Sequence, residues 1–506
     1  MSFSTRYVKN IFFLNFVFIF LLAQAQLDTT CNLASEEQVF MHKREAITQA
    51  KLLAHTKDLF SHNPNGFDAK RHKLPRIAFC LSGGGNRALI TSLGFMHGAQ
   101  TIGLLDCTSY VSCLSGSSWF YISFLLKNIS HNMSLQDYKT FLQPRLEKKF
   151  KRDPQVFYTE IQNIKKTKRQ ATISDGWGRI VYNYLVGDTV HEQASFKDIR
   201  DHLVSSGQNM PFPLFTAIIK NRSPYQWLEV NPFMLGADQI GYIPTSSFGS
   251  TFARGSCTKI LPELSLSSFM GIFGSAYCLN STEFTTALKT KFLPKLLSQE
   301  PSKLTQQEPQ KLPTQEQLAH AKKPTQFEKY WGVGIQLLPN PVESYSQFNN
   351  FLLETDNNPV SDSHIVVADA GIDFNIPTPP LFKKQRAIDI IIVCDASYKN
   401  TASQNNFMNL KKAKKHAQRH GIAFPQLSNP IKLTDTVFAF EDQDPTIPTV
   451  IYFRSSATAS TLKFSYTADE FTNICNEAHN ALVTAHDGIF EAIVRKTRLL
   501  NGFAAS

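Results

Sequence analysis

The sequence predicts an α/β protein whose sheet is buried between helices. Ile77-Ala-Phe-Cys-Leu81 is a short apolar run that ends in Ser82-Gly83-Gly84-Gly85, and a helical pattern follows through Gln100. A second apolar run, Tyr110 to Leu114, stops at Ser115-Gly116 and leads into an apolar helical stretch, Trp119 to Leu126. Strands that alternate with helices in this way build a covered sheet. Far downstream, Ala387 to Cys394 (AIDIIIVC) is apolar almost without alternation, as a strand buried on both faces requires.

The other elements follow from the same patterns. Residues 36 to 73 read as polar helix and loop, an N-terminal extension spanning 26 to 75. His364 to Val367 and Thr449 to Phe453 are strand-like, and 468 to 497 form an amphipathic helical pattern. Together 76 to 500 read as one domain. Residues 298 to 326 interrupt it with four prolines, seven glutamines and almost no large apolar side chain. Such a stretch cannot bury a core and reads as a mobile insertion or lid.

Composition narrows the class. The chain has 506 residues, a formal net charge of +11, 42% hydrophobic residues and 18% charged ones, which excludes wholesale disorder. At the N-terminus, Arg6 and Lys9 precede the 13-residue stretch Ile11 to Ala23, and Ala23-Gln24-Ala25 offers small residues for cleavage. This reads as a signal peptide over 1 to 25, since a bilayer span needs about 20 apolar residues. The expectation is export to a secreted or periplasmic location. Of the eight cysteines, Cys80, Cys107, Cys113 and Cys394 sit in or beside apolar runs and read as buried thiols. Pairing among Cys31, Cys257, Cys278 and Cys475 stays open, and no spacing suggests a metal site.

SYVSCLSGSSW (109 to 119) places five serines in eleven residues. A serine becomes a nucleophile when a tight strand-to-helix turn projects its Oγ and the helix N-terminus faces the developing charge. Ser115, followed by Gly116 and flanked by small residues at 113 and 117, meets that steric demand. Ser109, Ser112, Ser117 and Ser118 each lack part of it. On this stretch alone a capped, serine-rich turn serves equally well. The nearby SGGGNRA favours the nucleophile, because three glycines after a strand expose backbone amides where an oxyanion would form and Arg87 adds positive charge. Gly83, Gly85 and Ala88 also fit a dinucleotide fingerprint, with Asp106 at the ribose-binding distance. That acid should end a second strand, however, and here the convincing strand comes after it. A P-loop is excluded because no Gly-Lys-Ser/Thr follows.

LSGGGNRALITSLGFMHGAQTIGLLDCTSYVSCLSGSSW resembles the catalytic domain of the cytosolic (group IV) phospholipase A2 and fungal lysophospholipase family. ISDGWG (173 to 178), IPTSSFGSTF (243 to 252), FMGIFGSAYCLN (269 to 280) and VVADAGIDFNIPTPPLFKKQRAIDIIIVCDAS (366 to 397) resemble further segments of it in order, as do IPTVIYF and KFSYTADEF. The resemblance implies a three-layer sandwich around a largely parallel sheet. It implies a Ser–Asp dyad with Ser115 as nucleophile and Asp369 as base, oxyanion donors at Gly84 and Gly85, and Arg87 near the phosphate or the developing charge. The residues agree on Asp369, which ends an apolar strand before Ala370-Gly371; buried there, its pKa would rise and it could accept a proton from Ser115. Asp395 also ends an apolar strand. Two positions depart from the family pattern: Cys113 replaces its first glycine and Ala370 a common serine. A histidine triad through His97 or His364 is the mechanistic rival.

The implied activity is hydrolysis of fatty-acyl esters in phospholipids or lysophospholipids, without cofactor or metal. A broader esterase or acyltransferase, or a lipid-binding protein of the same fold with weak catalysis, are the alternatives. Residues 145 to 169 carry nine Lys/Arg against three acids, with Phe150, Val156, Phe157 and Tyr158 interleaved. That pattern suits an anionic membrane surface. No motif points to nucleic acid.

Overall fold

The computed structural model describes residues 25–61, 72–151, 153–187, 194–205, 209–276, 346–356, 358, 362–397 and 407–503. The expected signal peptide, apart from Ala25, and the 298 to 326 insertion lie outside the described residues. The first half of the chain runs α1 (Ser35–Ser61), β1 (Ile77–Leu81), α2 (Gly85–Thr101), β2 (Thr108–Cys113) and α3 (Gly116–His131). Helices α4 (Leu135–Glu147), α5 (Pro154–Lys166), α6 (Ile173–Leu185) and α7 (Phe196–Ser205) follow. Then come β3 (Phe212–Ile219), β4 (Gln226–Val230), β5 (Met234–Ala237), β6 (Gly241–Pro244), β7 (Thr251–Ala253), β8 (Ser256–Lys259) and α8 (Leu266–Phe273). The remainder is β9 (Gln347–Asn349), β10 (His364–Asp369), β11 (Ile390–Asp395), α9 (Met408–Arg419), β12 (Ile431–Lys432), β13 (Val437–Phe440), β14 (Thr449–Arg454), α10 (Ala468–Thr484) and α11 (His486–Leu500).

One mixed sheet organises the molecule, in the order β12-β13-β14-β11-β1-β2-β3-β4-β5-β6. Its centre, β14-β11-β1-β2-β3, is parallel. Those central strands are covered on both faces; every residue of β1, β2, β3 and β11 is buried. Helices flank the sheet, so the fold is the α/β sandwich that the sequence predicts. The arm from β4 to β6 is antiparallel and has no counterpart in the sequence reading. The C-terminal helical pattern is two helices rather than one: it breaks at Ala485, and the new helix begins at His486.

The pairing on β3 decides where the chemistry can sit. Strand β2 runs parallel along one edge of β3 as far as Cys113 opposite Phe215. Strand β10 comes down antiparallel to β3 and ends with Asp369 opposite Ala217. Two strands of opposite direction therefore meet end to end, with Thr216 between them; its Oγ1 donates to the Cys113 carbonyl at 3.0 Å. Whatever follows β2 and whatever ends β10 must face each other.

The buried cysteines are as the sequence predicts. Cys80, Cys107, Cys113 and Cys394 are free and buried, and burial holds each thiol's pKa above its ordinary value. Cys31, Cys257 and Cys475 are also free, and Cys278 lies outside the described residues. In the basic stretch, cations and aromatics separate. Lys148, Lys149, Lys151, Lys165, Lys166 and Lys168 are exposed. Phe157 is buried, with its ring against Gly176, and Phe150 packs on Phe464 and Trp177.

Candidate active site

Ser115 occupies the turn between β2 and α3 at φ 54° and ψ −118°. Side chains rarely adopt such a backbone, and a strained strand-to-helix turn is what thrusts a nucleophile out of a sheet. Two of the neighbouring serines are committed elsewhere. Ser117 Oγ donates to the carbonyls of Leu81 and Leu114, tying the ends of β1 and β2 together, and Ser112 Oγ donates to Pro377. Ser109 and Ser118 are buried.

Asp369 lies where the β3 pairing delivers it. Gly371 N donates to Oδ1 at 2.8 Å, and the Ser115 hydroxyl is close enough to favour the ionised carboxylate. Complete burial outweighs both contacts and raises the Asp369 pKa to about 7. Ser275, from the segment after α8, holds the backbone of the strand end: its Oγ accepts from Asp369 N at 3.1 Å. The carboxylate is thus close to half ionised at neutral pH, suited to taking and returning a proton.

The glycine turn closes the other side. Gly84 and Gly85 adopt φ of 143° and 60°. A Cβ on Gly116 would lie 2.0 Å from the Gly85 carbonyl, so the glycine turn and the serine turn touch backbone to backbone. Gly83 N is bonded to the Asn375 carbonyl. The Gly84 and Gly85 amides have no hydrogen-bond partner among the described residues. Two free amides at the N-terminus of α2, beside Ser115, can receive an oxyanion.

Arg87, expected near the phosphate or the developing charge, is buried behind the glycine turn. Its Nε donates to the Ala396 carbonyl at 2.7 Å, Nη1 donates to Ala459, and Nη2 lies within 3.4 Å of Thr461 Oγ1. Buried behind the turn, with Nη2 2.6 Å from where a Gly84 Cβ would stand, it braces the turn's shape.

Asp395 does not compete as a base, because both of its oxygens are occupied. Oδ2 accepts from Tyr452 and Asn409, and Oδ1 from Ser397 N. The histidine rivals lie too far away. His97 is twelve residues along α2 from Gly85, about 18 Å at the helical rise. His364 stands five residues up β10 from Asp369, about 17 Å, and bonds Ser363.

Sequence reading missed Asn375. Its Nδ2 donates to the Gly83 carbonyl at 2.8 Å and to Ser397 Oγ at 2.7 Å. Its Oδ1 lies 2.6 Å from where a Gly83 Cβ would be, a position itself 2.9 Å from Ser115 Cβ. Ser397 and Asn409 continue this chain of bonds to Asp395. Only an asparagine six residues past an aspartate was visible in sequence, a weak signal without the fold.

Asn375 and Arg87 are positioning residues for the turn, so substituting either should damage all substrates alike. Asn375→Ala and Arg87→Lys are each expected to lower kcat about tenfold to a hundredfold, with KM nearly unchanged. The loss should be equal for a phospholipid and for a neutral short-chain ester. A loss confined to the phospholipid would instead place Arg87 against the phosphate.

Comparison with known proteins identifies the family. Residues 77–417 match the lysophospholipase catalytic domain family, and the chain belongs to it. Human cytosolic phospholipase A2 epsilon is 25% identical over 465 residues, covering 83% of this chain and 52% of that protein. Mouse cytosolic phospholipase A2 zeta is 26% identical over 477 residues, covering 83% and 53%. The chain therefore spans about half the length of the curated relatives it matches. Among solved structures, human GIVD cytosolic phospholipase A2 superposes with a TM-score of 0.69 at 19% identity, covering 92% of this chain and 68% of that one. The same human enzyme in complex with methyl gamma-linolenyl fluorophosphonate superposes at 0.67 and 18% identity, covering 93% and 65%. Both structural likenesses establish the fold.

Among the described residues no group of three or more His, Cys, Asp or Glu could hold a metal ion, and no helix is long and apolar enough to cross a membrane.

Proposed function

We propose that this chain is a serine lipid hydrolase that removes fatty-acyl groups from phospholipids or lysophospholipids through a Ser115–Asp369 dyad. The observation that carries the reading is the fully buried Asp369 carboxylate, its pKa raised to about 7, beside Ser115 in its strained turn. In the reaction, Ser115 Oγ attacks the acyl carbonyl carbon while Asp369 takes the hydroxyl proton. The carbonyl oxygen becomes an oxyanion, received by the Gly84 and Gly85 amides. Collapse of this intermediate breaks the ester C–O bond, and the departing glyceryl oxygen takes the proton back from Asp369. Water then attacks the acyl-serine with Asp369 again as base, releasing the fatty acid and restoring Ser115.

The lipid class comes from the family together with the named relatives, which are phospholipases. Lipid-product analysis of the purified protein on labelled phospholipid and lysophospholipid tests it. The wild type should release free fatty acid from both substrates, and Ser115→Ala from neither; products that persist in the variant contradict the reading.

The membrane surface is part of this proposal. The exposed lysines flanking α5 give that face positive charge, which favours an anionic bilayer. Export is the corresponding proposal for location and rests on residues 1 to 25, whereas the relatives are named cytosolic. Ala25 is buried and its carbonyl accepts from Cys257 N, so cleavage after it would free Gln26 at a bridge to Ser256. N-terminal sequencing should find a chain beginning near Gln26; an intact Met1 in the protein recovered from cells would contradict export.

A further inference from the structure

Arg169 is buried at 7% exposure, unlike the exposed lysines before it in the basic stretch. Its Nη2 donates to the Pro262 carbonyl. Its Nε and Nη1 are buried with no hydrogen-bond partner among the described residues. The acid whose charge acts on it, Asp175, has both oxygens committed: Oδ2 accepts from Thr172 N and Oγ1 at 2.7 and 2.8 Å, and Oδ1 from Ser268 at 2.6 Å. A guanidinium with unmet donors in the interior is destabilising unless a ligand completes it.

A cleft of about 240 Å³ opens beside this side chain. Lys168, Gln170, Lys259, Gln347 and Asn349 line it with Arg169, and no acid is among its lining residues. Lys168 and Lys259 are exposed at its rim. Since a water occupies about 30 Å³ of liquid, the space holds a phosphate group and several waters. We propose that this cleft is a phosphate site, distinct from Ser115, taking a phosphate dianion either as inorganic phosphate or as the monoester headgroup of a lipid. Two ammonium groups and a guanidinium match a double negative charge better than a single carboxylate. A phosphate oxygen that accepts from an unmet Nε–H or Nη1–H makes the charge-assisted hydrogen bond that the guanidinium lacks.

The test uses the full chain with Ser115→Ala, so that lipid turnover plays no part and the outcome does not depend on the hydrolase reading. Thermal unfolding is followed against inorganic phosphate at constant ionic strength, and sedimentation is measured with phosphatidylcholine vesicles with and without phosphatidate. The melting temperature should rise with the logarithm of phosphate concentration. Lys259→Gln, an exposed change that leaves folding intact, should weaken the affinity about tenfold. Arg169→Gln should abolish the response and, without phosphate, melt at or above the parent temperature because an unmet buried charge is gone. If phosphate alone has no effect but phosphatidate vesicles bind in a manner lost in both variants, the site takes a headgroup. The proposal is overturned if neither probe acts on the parent protein, or if the response survives in Lys259→Gln and Arg169→Gln alike.

Discussion

Asp369→Asn is expected to lower ester hydrolysis by about 10³-fold or more while making the protein more stable above pH 7. The rate falls because an amide cannot accept the Ser115 proton. The stability gain follows from burial. Between the ordinary aspartate value near 4 and the folded value of about 7, the native chain holds a proton that the unfolded chain has released. Stability from this group is therefore full below pH 4, declines as pH rises through that window and is flat above it. The gap between those two values corresponds to a loss on the order of 4 kcal/mol at the alkaline end. Asparagine is neutral throughout and escapes that loss. Melting temperatures of wild type and variant should differ least near pH 4 and most above pH 7. The wild-type rate should climb over the same range as the carboxylate ionises. A gap independent of pH, or a variant that keeps its activity, would contradict the assigned role.

Ser115→Ala is expected to remove hydrolysis by on the order of 10⁴-fold or more, since the Ser112 and Ser117 hydroxyls are donated to backbone carbonyls. It should leave the backbone strain in place, because alanine also carries a Cβ at φ 54°. Ser115→Gly should be equally inactive yet more stable than Ser115→Ala, by about 1 kcal/mol, as the turn no longer forces a side chain into that region. Denaturant midpoints of the two variants give the comparison. Equal stabilities would show that the turn is not strained, and activity in either would exclude Ser115 as nucleophile.

Much of this site was legible in sequence because its parts are local. Glycines at 84 and 85, a small residue at 116 and a serine between strand and helix are the residues that tight turns demand, whatever the rest of the chain does. Asp369 was legible as a carboxylate at a strand end. Its meeting with Ser115 was not derivable from pattern, since it depends on β2 and β10 abutting on the same edge of β3, a register that no local signal encodes. Arg87 has surroundings that no local pattern shows. Its charge next to three glycines suggested a ligand, but carbonyls from segments some 300 residues and more away claim its donors. Asn375 was silent for the same reason. The β4 to β6 arm lacks the alternation that marks a half-exposed hairpin, because β4 is buried on both faces.

Mapping the site of fluorophosphonate attachment tests the dyad most directly, since such a compound bonds covalently only to an activated hydroxyl. The purified full chain is treated with an alkyl fluorophosphonate, digested and analysed by mass spectrometry. The account predicts a single adduct on Ser115, absent in Ser115→Ala and slowed in Asp369→Asn by about the same factor as hydrolysis. Modification at Ser112 or Ser117, or labelling of Ser115 at an undiminished rate in Asp369→Asn, would contradict it.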